Sequence, residues 1–248
     1  MGDIARCSVK NEDLLYRLFG KNAELLIDHA WGWEPCTIAD VKAYKPEHKS
    51  IVSGQVLQCP YTFEKARLVV REMADQLALS LVESRLVTRQ IVLTVGYDIE
   101  NLTDKTRSKA YHGEVKVDQY GRKIPKHAHG TANLPRYTSS SVQLMDAVTE
   151  LFERIADKNL LVRRLNVLTE SAAQKEEAVE QLDLFSLSST SQEKRAEEEK
   201  KLVRERKRQE AMLAIKRKYG KNAILKGMNL QEGATAKDRN GKIGGHKA

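Results

Sequence analysis

The chain has 248 residues, is 41% hydrophobic and 31% charged, and carries 42 Lys+Arg against 34 Asp+Glu for a net charge of +8. Its three cysteines, Cys7, Cys36 and Cys59, lie far apart, which excludes a disulfide framework or a zinc ribbon, and no apolar run reaches membrane-spanning length. The N-terminus shows no signal peptide, so a reducing, cytoplasmic setting is expected.

The charge is uneven. Residues 1–170 hold 24 Lys+Arg against 22 Asp+Glu, whereas residues 171–248 hold 18 against 12. The body is close to neutral and the tail is basic. Such a balance favours a polyanionic partner without separating nucleic acid from membrane.

Residues 1–45 read as short helices. Asn11 caps a run from Glu12 to Phe19 with Gly20 as its stop, and Ala23 to Ala30 continues in helical sequence. Trp31-Gly32-Trp33-Glu34-Pro35 breaks the pattern, and residues 41–50 form a polar, basic linker. Ile51 to Leu57 is strand-like. Pro60 then leads into a helix with Phe63, Ala66, Val70, Met73, Leu77 and Leu81 on one stripe, the spacing of a core-facing helix.

Leu86 to Tyr97 switches to alternation. Val87, Ile91, Leu93 and Val95 share one face, and Thr88, Gln90 and Thr94 the other. His127, His129, Thr131 and Asn133 alternate with Ala128, Gly130, Ala132 and Leu134 as a second half-polar strand. Ser140 with Gln143 signs a capping box ahead of a helix bearing Leu144, Val148, Leu151, Phe152 and Ile155. Leu160 to Leu168 is the last strand.

That order, strand, helix, strand, strand, helix, strand, predicts an α+β fold: a ferredoxin-like βαββαβ domain with helices on one face of an antiparallel sheet and the other face open. After Ala173 the sequence turns polar, with an apolar island from Gln181 to Leu187. A charged, helix-prone run follows from Gln192 to Tyr219. The segment Gly227 to Ala248, with Gly233, Gly241, Gly244 and Gly245, is expected to be irregular. The expected division is 1–45, 46–170, 171–192 and 193–248.

Two signals carry function. The first is the pentapeptide Gln181-Leu182-Asp183-Leu184-Phe185 in a polar setting. Bound in extended form, it would seat Leu182, Leu184 and Phe185 in an apolar cleft and the Gln181 amide in a polar pocket; the bland alternative is a short helix docking on the chain's own domain. The second is a cationic cluster. Lys105, Arg107, Lys109, Lys116, Arg122, Lys123, Lys126 and Arg136 face only Glu114 and Asp118 over residues 105–136. Cations beside a polar strand face suit a phosphate backbone, although an ordinary solvated hairpin has the same composition. Arg89 on the second strand joins these candidate contacts.

Several segments resemble the UmuC-like group of Y-family DNA polymerases. Gly2-Asp3-Ile4-Ala5-Arg6 and Leu14-Leu15-Tyr16-Arg17-Leu18-Phe19-Gly20 look like the end of that family's thumb. Residues 46–170, from Lys49-Ser50-Ile51 to Val162-Arg163-Arg164-Leu165, look like its little finger. The pentapeptide resembles the Gln-Leu-x-Leu-Phe peptide by which bacterial polymerases attach to the sliding clamp, and Lys221 to Leu230 resembles the tail of a bacterial subgroup. The resemblance implies binding of primer–template duplex and of the bacterial sliding clamp in translesion synthesis and repair. A Gly-rich hairpin ahead of the first helix touches DNA phosphates in that family, and Gly2 inherits this role.

The same resemblance implies that the chain does not catalyse nucleotide transfer alone. Transfer needs carboxylates holding two metal ions, which the family places in a palm with a Ser-x-Asp-Glu segment. No such segment is found, and Mg2+ would belong to that missing palm, so no cofactor is expected here. Asp98 with Glu100 imitates a carboxylate pair but is expected to be solvated. His127, His129 and His112 lack neighbours at metal-ligand spacing. Trp31 and Trp33 are expected to pack against the linker. Two other classes stay open: a free-standing accessory protein occupying clamp and DNA, and an RNA-binding βαββαβ module, against which the lack of aromatics on the polar strand face counts.

Overall fold

The computed structural model describes residues 1–44, 49–118, 121–174, 189–243 and 246–247. The chain divides into two units, Met1–Glu47 and His48–Ala248.

In the first unit α1 (Gly2–Phe19) consists of two helical runs meeting at Asn11, whose φ of −155° and ψ of 60° interrupt the helix. The break falls where the sequence places the start of the second run, although the Asn11 side chain makes no capping hydrogen bond among the described residues. Gly20 closes α1 at φ +57° with its N–H donating to the Tyr16 carbonyl, a left-handed turn that glycine adopts without strain. Next come α2 (Asn22–Ala30) and α3 (Ile38–Ala43). Thr37 and Asp40 exchange hydrogen bonds at the start of α3 as a capping box, and these bonds hold the Asp40 carboxyl below its ordinary range. Trp31 and Trp33 are exposed rather than packed, with the Trp31 indole N–H donating to Ser8 Oγ at 3.1 Å.

The second unit is built on β1 (Lys49–Tyr61), α4 (Phe63–Glu83), β2 (Leu86–Tyr97), β5 (Ala128–Thr138), α7 (Ser141–Ile155) and β6 (Val162–Gln174). Between β2 and β5 come α5 (Glu100–Thr103), α6 (Lys105–Ala110) and a hairpin of β3 (Val115–Val117) and β4 (Lys123–Pro125). The sheet order is β1-β6-β2-β5, antiparallel throughout. Both βαβ units are split: β6 lies between the parallel β1 and β2, and β2 between the parallel β5 and β6. The α+β class and βαββαβ order are as expected, in the variant whose second and fourth strands hold the centre.

The helices α4 and α7 cover one face. Leu93, Val95, Leu165 and Val167 from the central strands meet Val70, Met73, Leu77, Leu144, Leu151 and Phe152 in one buried core, where the rings of Phe63 and Phe152 lie 4.8 Å apart. Ser140 Oγ accepts from the Gln143 N–H and caps α7 as its sequence predicts. Gly130 on β5 lets α7 approach, since a Cβ there would meet Ile155 Cγ2 at 2.9 Å and Leu151 Cδ1 at 3.0 Å. Gly130→Val is therefore expected to cost about 1–3 kcal/mol through overpacking, read as a lower denaturant midpoint with an unchanged slope.

Two expectations give way here. Thr88 is buried and bonds to the Gln90 carbonyl instead of sharing the open face with Gln90 and Thr94. The register shift between Thr88 and Gln90 reverses which residues point inward. The terminus also differs. Residues 227–240 are not irregular but form a 3-10 turn (Gly227–Leu230) and α9 (Ala236–Asn240), both contacting α4.

The long α8 (Ser189–Tyr219) packs on α4 as well. Consequently α4 is buried on nearly all sides: the sheet-facing stripe is joined by Glu72, Asp75, Leu79 and Val82 on its outer side. Leu79 shares a crevice with Met212 of α8 and with Ile224 and Leu225. The Glu72 carboxylate, 1% exposed, accepts from Asn229 Nδ2 at 2.8 Å, the Thr235 N–H at 2.7 Å and the Ala236 N–H at 3.1 Å. Lys226 pairs with Asp75, and Arg239 Nη1 reaches Gln55 Oε1 at 3.2 Å. A buried carboxylate that accepts several hydrogen bonds fixes the backbone that donates them.

Candidate nucleic-acid interface

Alternation leaves the other sheet face clear of α4 and α7. Register places its side chains in rows across all four strands. One row runs Val52, Leu168, Val92, Thr131, and the next Gly54, Asn166, Thr94, His129. Arg164 stands beside Val56 and Gly96, and Gln90 beside Asn133. The polar groups on β2 and β5 pair across strands: Thr94 Oγ1 lies 2.9 Å from His129 Nδ1, and Gln90 Nε2 donates to Asn133 Oδ1 at 3.0 Å. Asn166, at the centre, has a buried Oδ1 without a hydrogen-bond partner among the described residues. Unmet acceptors are uncommon in folded proteins.

The cationic residues gather at one end of this sheet, where β2 ends and β5 and β6 begin. Asp104 caps α6, accepting from the Thr106 and Arg107 N–H groups, and so sets Lys105, Arg107 and Lys109 on one short helix. Arg107 donates to the Asn159 carbonyl at 3.2 Å. The β3–β4 hairpin carries Lys116, Lys123 and, in its turn, Arg122, with Lys126 following. Arg122 is held by Asp118 at 2.7 Å and Lys126 by Glu114 at 2.6 Å. Their shared hydrogen bond keeps the Lys126 ammonium above its ordinary range and the Glu114 carboxyl below its own. Lys105, Lys109 and Lys123 are exposed and make no ion pair among the described residues; Lys116 lies near Glu114, whose carboxyl it helps to hold down.

The remaining candidates are dispersed. Arg89 is exposed at the opposite end of β2, its Nε donating to the Leu134 carbonyl at 3.2 Å. Arg136 is half-buried and turned toward α8, where Glu198 holds it at 2.9 Å. Gly2 begins α1 in the first unit. The pentapeptide Gln181, Leu182, Asp183, Leu184 and Phe185 lies outside the described residues. Asp98 is 7% exposed rather than solvated, since its Oδ1 accepts from the Glu100 N–H and its Oδ2 lies 3.7 Å from Arg163. It ties the end of β2 to the start of β6. Among the described residues no three His, Cys, Asp or Glu side chains converge on a metal position, and no helix is long and apolar enough to cross a membrane.

Arg164, marked in the sequence only as part of the closing Val162–Leu165 motif, and Asn166, not marked at all, also fall on the candidate face. The signal for them lies in β6 itself, where Arg164, Asn166 and Leu168 alternate with Leu165, Val167 and Thr169.

Among curated proteins none matches the chain. The profile described as the impB/mucB/samB family C-terminal domain matches residues 48–184, more than half of the chain, and spans the whole four-stranded sheet with α4 and α7. With that match on this fold, the chain belongs to the impB/mucB/samB family of UmuC-like Y-family polymerases, and residues 48–184 are its C-terminal little-finger domain, the part that serves DNA binding in translesion synthesis.

Proposed function

We propose that this domain grips duplex DNA by its backbone, laying the open sheet face along a groove and setting the cationic end against phosphates. The observation that carries this reading is the open face itself: a half-polar sheet surface on the side away from α4 and α7, with Lys105, Lys109 and Lys123 exposed at its edge and in no ion pair among the described residues. Neutral and hydroxyl groups on that face suit close approach to DNA without a fixed sequence, while lysine–phosphate contacts release counterions and supply affinity. Lys105, Lys109, Lys116 and Lys123 are the principal contacts. Arg107, Arg122, Lys126, Arg136 and Arg89 are already bonded within the protein, so they would be shared rather than newly engaged.

Joined to this grip, the Gln181–Phe185 peptide would moor the domain to a bacterial sliding clamp. Its place after the last strand of the sheet supports that reading, since a linked second contact raises the local concentration of the first.

Replacing Lys105, Lys109, Lys116 and Lys123 together with Gln tests the grip. Duplex affinity at about 0.1 M salt is expected to fall roughly tenfold or more, and the slope of log K against log salt to shrink by up to about 3.6, near 0.9 for each phosphate that is no longer neutralised. The same change at Arg122, Lys126 and Arg136 should have a smaller effect. Unchanged affinity and slope in the lysine variant would place the DNA elsewhere.

A further inference from the structure

We propose that α8 forms a second surface for the nucleic-acid backbone, on the side of the unit away from the sheet face. The helix has a distinct inner and outer side. Its inner side is locked down: Glu205 accepts from Ser140 Oγ at 2.6 Å and from the Val142 N–H at 3.2 Å. Gln209 Nε2 donates to the Ser139 carbonyl at 2.9 Å, and Arg206 reaches the Val82 carbonyl at 3.3 Å. These bonds fix the rotation of α8 against the end of α4 and the start of α7.

With that rotation fixed, Lys200, Arg204, Lys207, Arg208 and Lys218 fall on the outer side. They follow the spacing i, i+4, i+7, i+8 and i+18, within about a quarter-turn of one another at 3.6 residues per turn. All five are exposed, and none makes an ion pair among the described residues; Lys218 lies 5.1 Å from the Tyr219 ring centroid. Over residues 200–221 there are ten Lys+Arg against two acids, Glu205 and Glu210. Glu205 is buried inward and Glu210 is taken by Arg206. The ridge therefore presents cations and no competing carboxylate over about 27 Å of helix at 1.5 Å per residue.

A like-charged row of this kind is destabilising in isolation. It is kept in place by the inner hydrogen bonds, not by side-chain pairing along the ridge. A polyanion relieves that repulsion. Arg204 and Arg208 supply planar donor forks suited to phosphate oxygens. Between the cations lie Ala211 and Ala214, and the exposed large apolar groups are Val203 near one end and Ile215 with Tyr219 near the other, more than four turns of helix from first to last; they do not form the central cluster of large anchors that a protein partner needs. The ligand class that fits is a phosphodiester strand, bound without regard to sequence.

The test uses the full chain and the variant K200Q/R204Q/K207Q/R208Q, whose four positions are exposed, so that the substitutions should not lower the thermal midpoint. Native mass spectrometry at low salt counts 12-residue oligonucleotides per chain, with single-stranded oligo-dT in one arm and a 12-base-pair duplex in the other. The wild type is expected to take two oligonucleotides and the variant one. The sheet-edge variant K105Q/K109Q/K116Q/K123Q should also take one, through α8. A wild type that binds one, or a folded α8 variant with unchanged stoichiometry, overturns the second surface and leaves the sheet reading untouched. Loss of both sites from the sheet-edge variant alone would likewise overturn it. A folded α8 variant that keeps both oligonucleotides but loses an acidic protein partner shows a protein-docking face instead.

Discussion

Glu72→Ala is expected to free the C-terminal segment and destabilise the second unit by about 2–4 kcal/mol. The carboxylate projects from α4, is buried beneath the C-terminal segment, and accepts from Asn229 and from the backbone of Thr235 and Ala236. Without it, three donors lose their acceptor, at about 1–3 kcal/mol for each that stays buried. The segment has an escape, since by undocking it returns those donors to water, which caps the loss at the free energy of docking. Undocking then exposes Leu79 and Met212, which line the crevice beneath it. Limited proteolysis should cut between residues 221 and 243 in the variant well before the wild type, with denaturant melts giving the energy. Glu72→Gln should be intermediate. It keeps one acceptor but turns an amide toward Asn229, whose Oδ1 is already committed to the Lys226 N–H. A variant as resistant and as stable as the wild type would show that the docked terminus has another anchor.

The second large effect falls on the clamp. Leu184→Ala with Phe185→Ala is expected to abolish clamp capture in a pull-down, a loss of roughly a hundredfold or more, because each side chain is a buried anchor in the proposed mode and such anchors carry about 2 kcal/mol or more apiece. Duplex affinity should not change, as none of the proposed phosphate contacts lies in the peptide. Clamp retention at wild-type strength would remove the peptide from the account; a fall in duplex affinity would mean that the segment belongs to the DNA face.

Much of the fold was legible because period-2 and period-3.6 patterns are direct images of burial. The inward residues of β5, Ala128, Gly130, Ala132 and Leu134, could be read from the sequence, as could the sheet-facing stripe of α4. The outer side of α4 could not. Glu72 and Asp75 look like solvated helix residues, and only tertiary hydrogen bonds from a segment some 150 residues later justify burying them. The same contacts explain why a glycine-containing terminus takes ordered form: its order comes from docking, not from local propensity. Thr88 was misplaced because a bulge leaves no mark in a strictly alternating pattern. On the interface, composition found the cationic cluster but could not separate Lys105, Lys109 and Lys123 from Arg122 and Lys126, whose partners are fixed by the hairpin's fold.

The central claim is that the open sheet face meets the DNA. A photo-cross-linking amino acid at Thr131, exposed at the middle of β5, reports on it most directly, with Glu150 on the outer side of α7 as the control position. With both probes placed in the K200Q/R204Q/K207Q/R208Q background, so that DNA on α8 does not reach the control, the account predicts that the Thr131 probe labels duplex DNA of any sequence, fading as salt rises, while the Glu150 probe labels little. Equal labelling from both positions, or labelling from Glu150 alone, would contradict it.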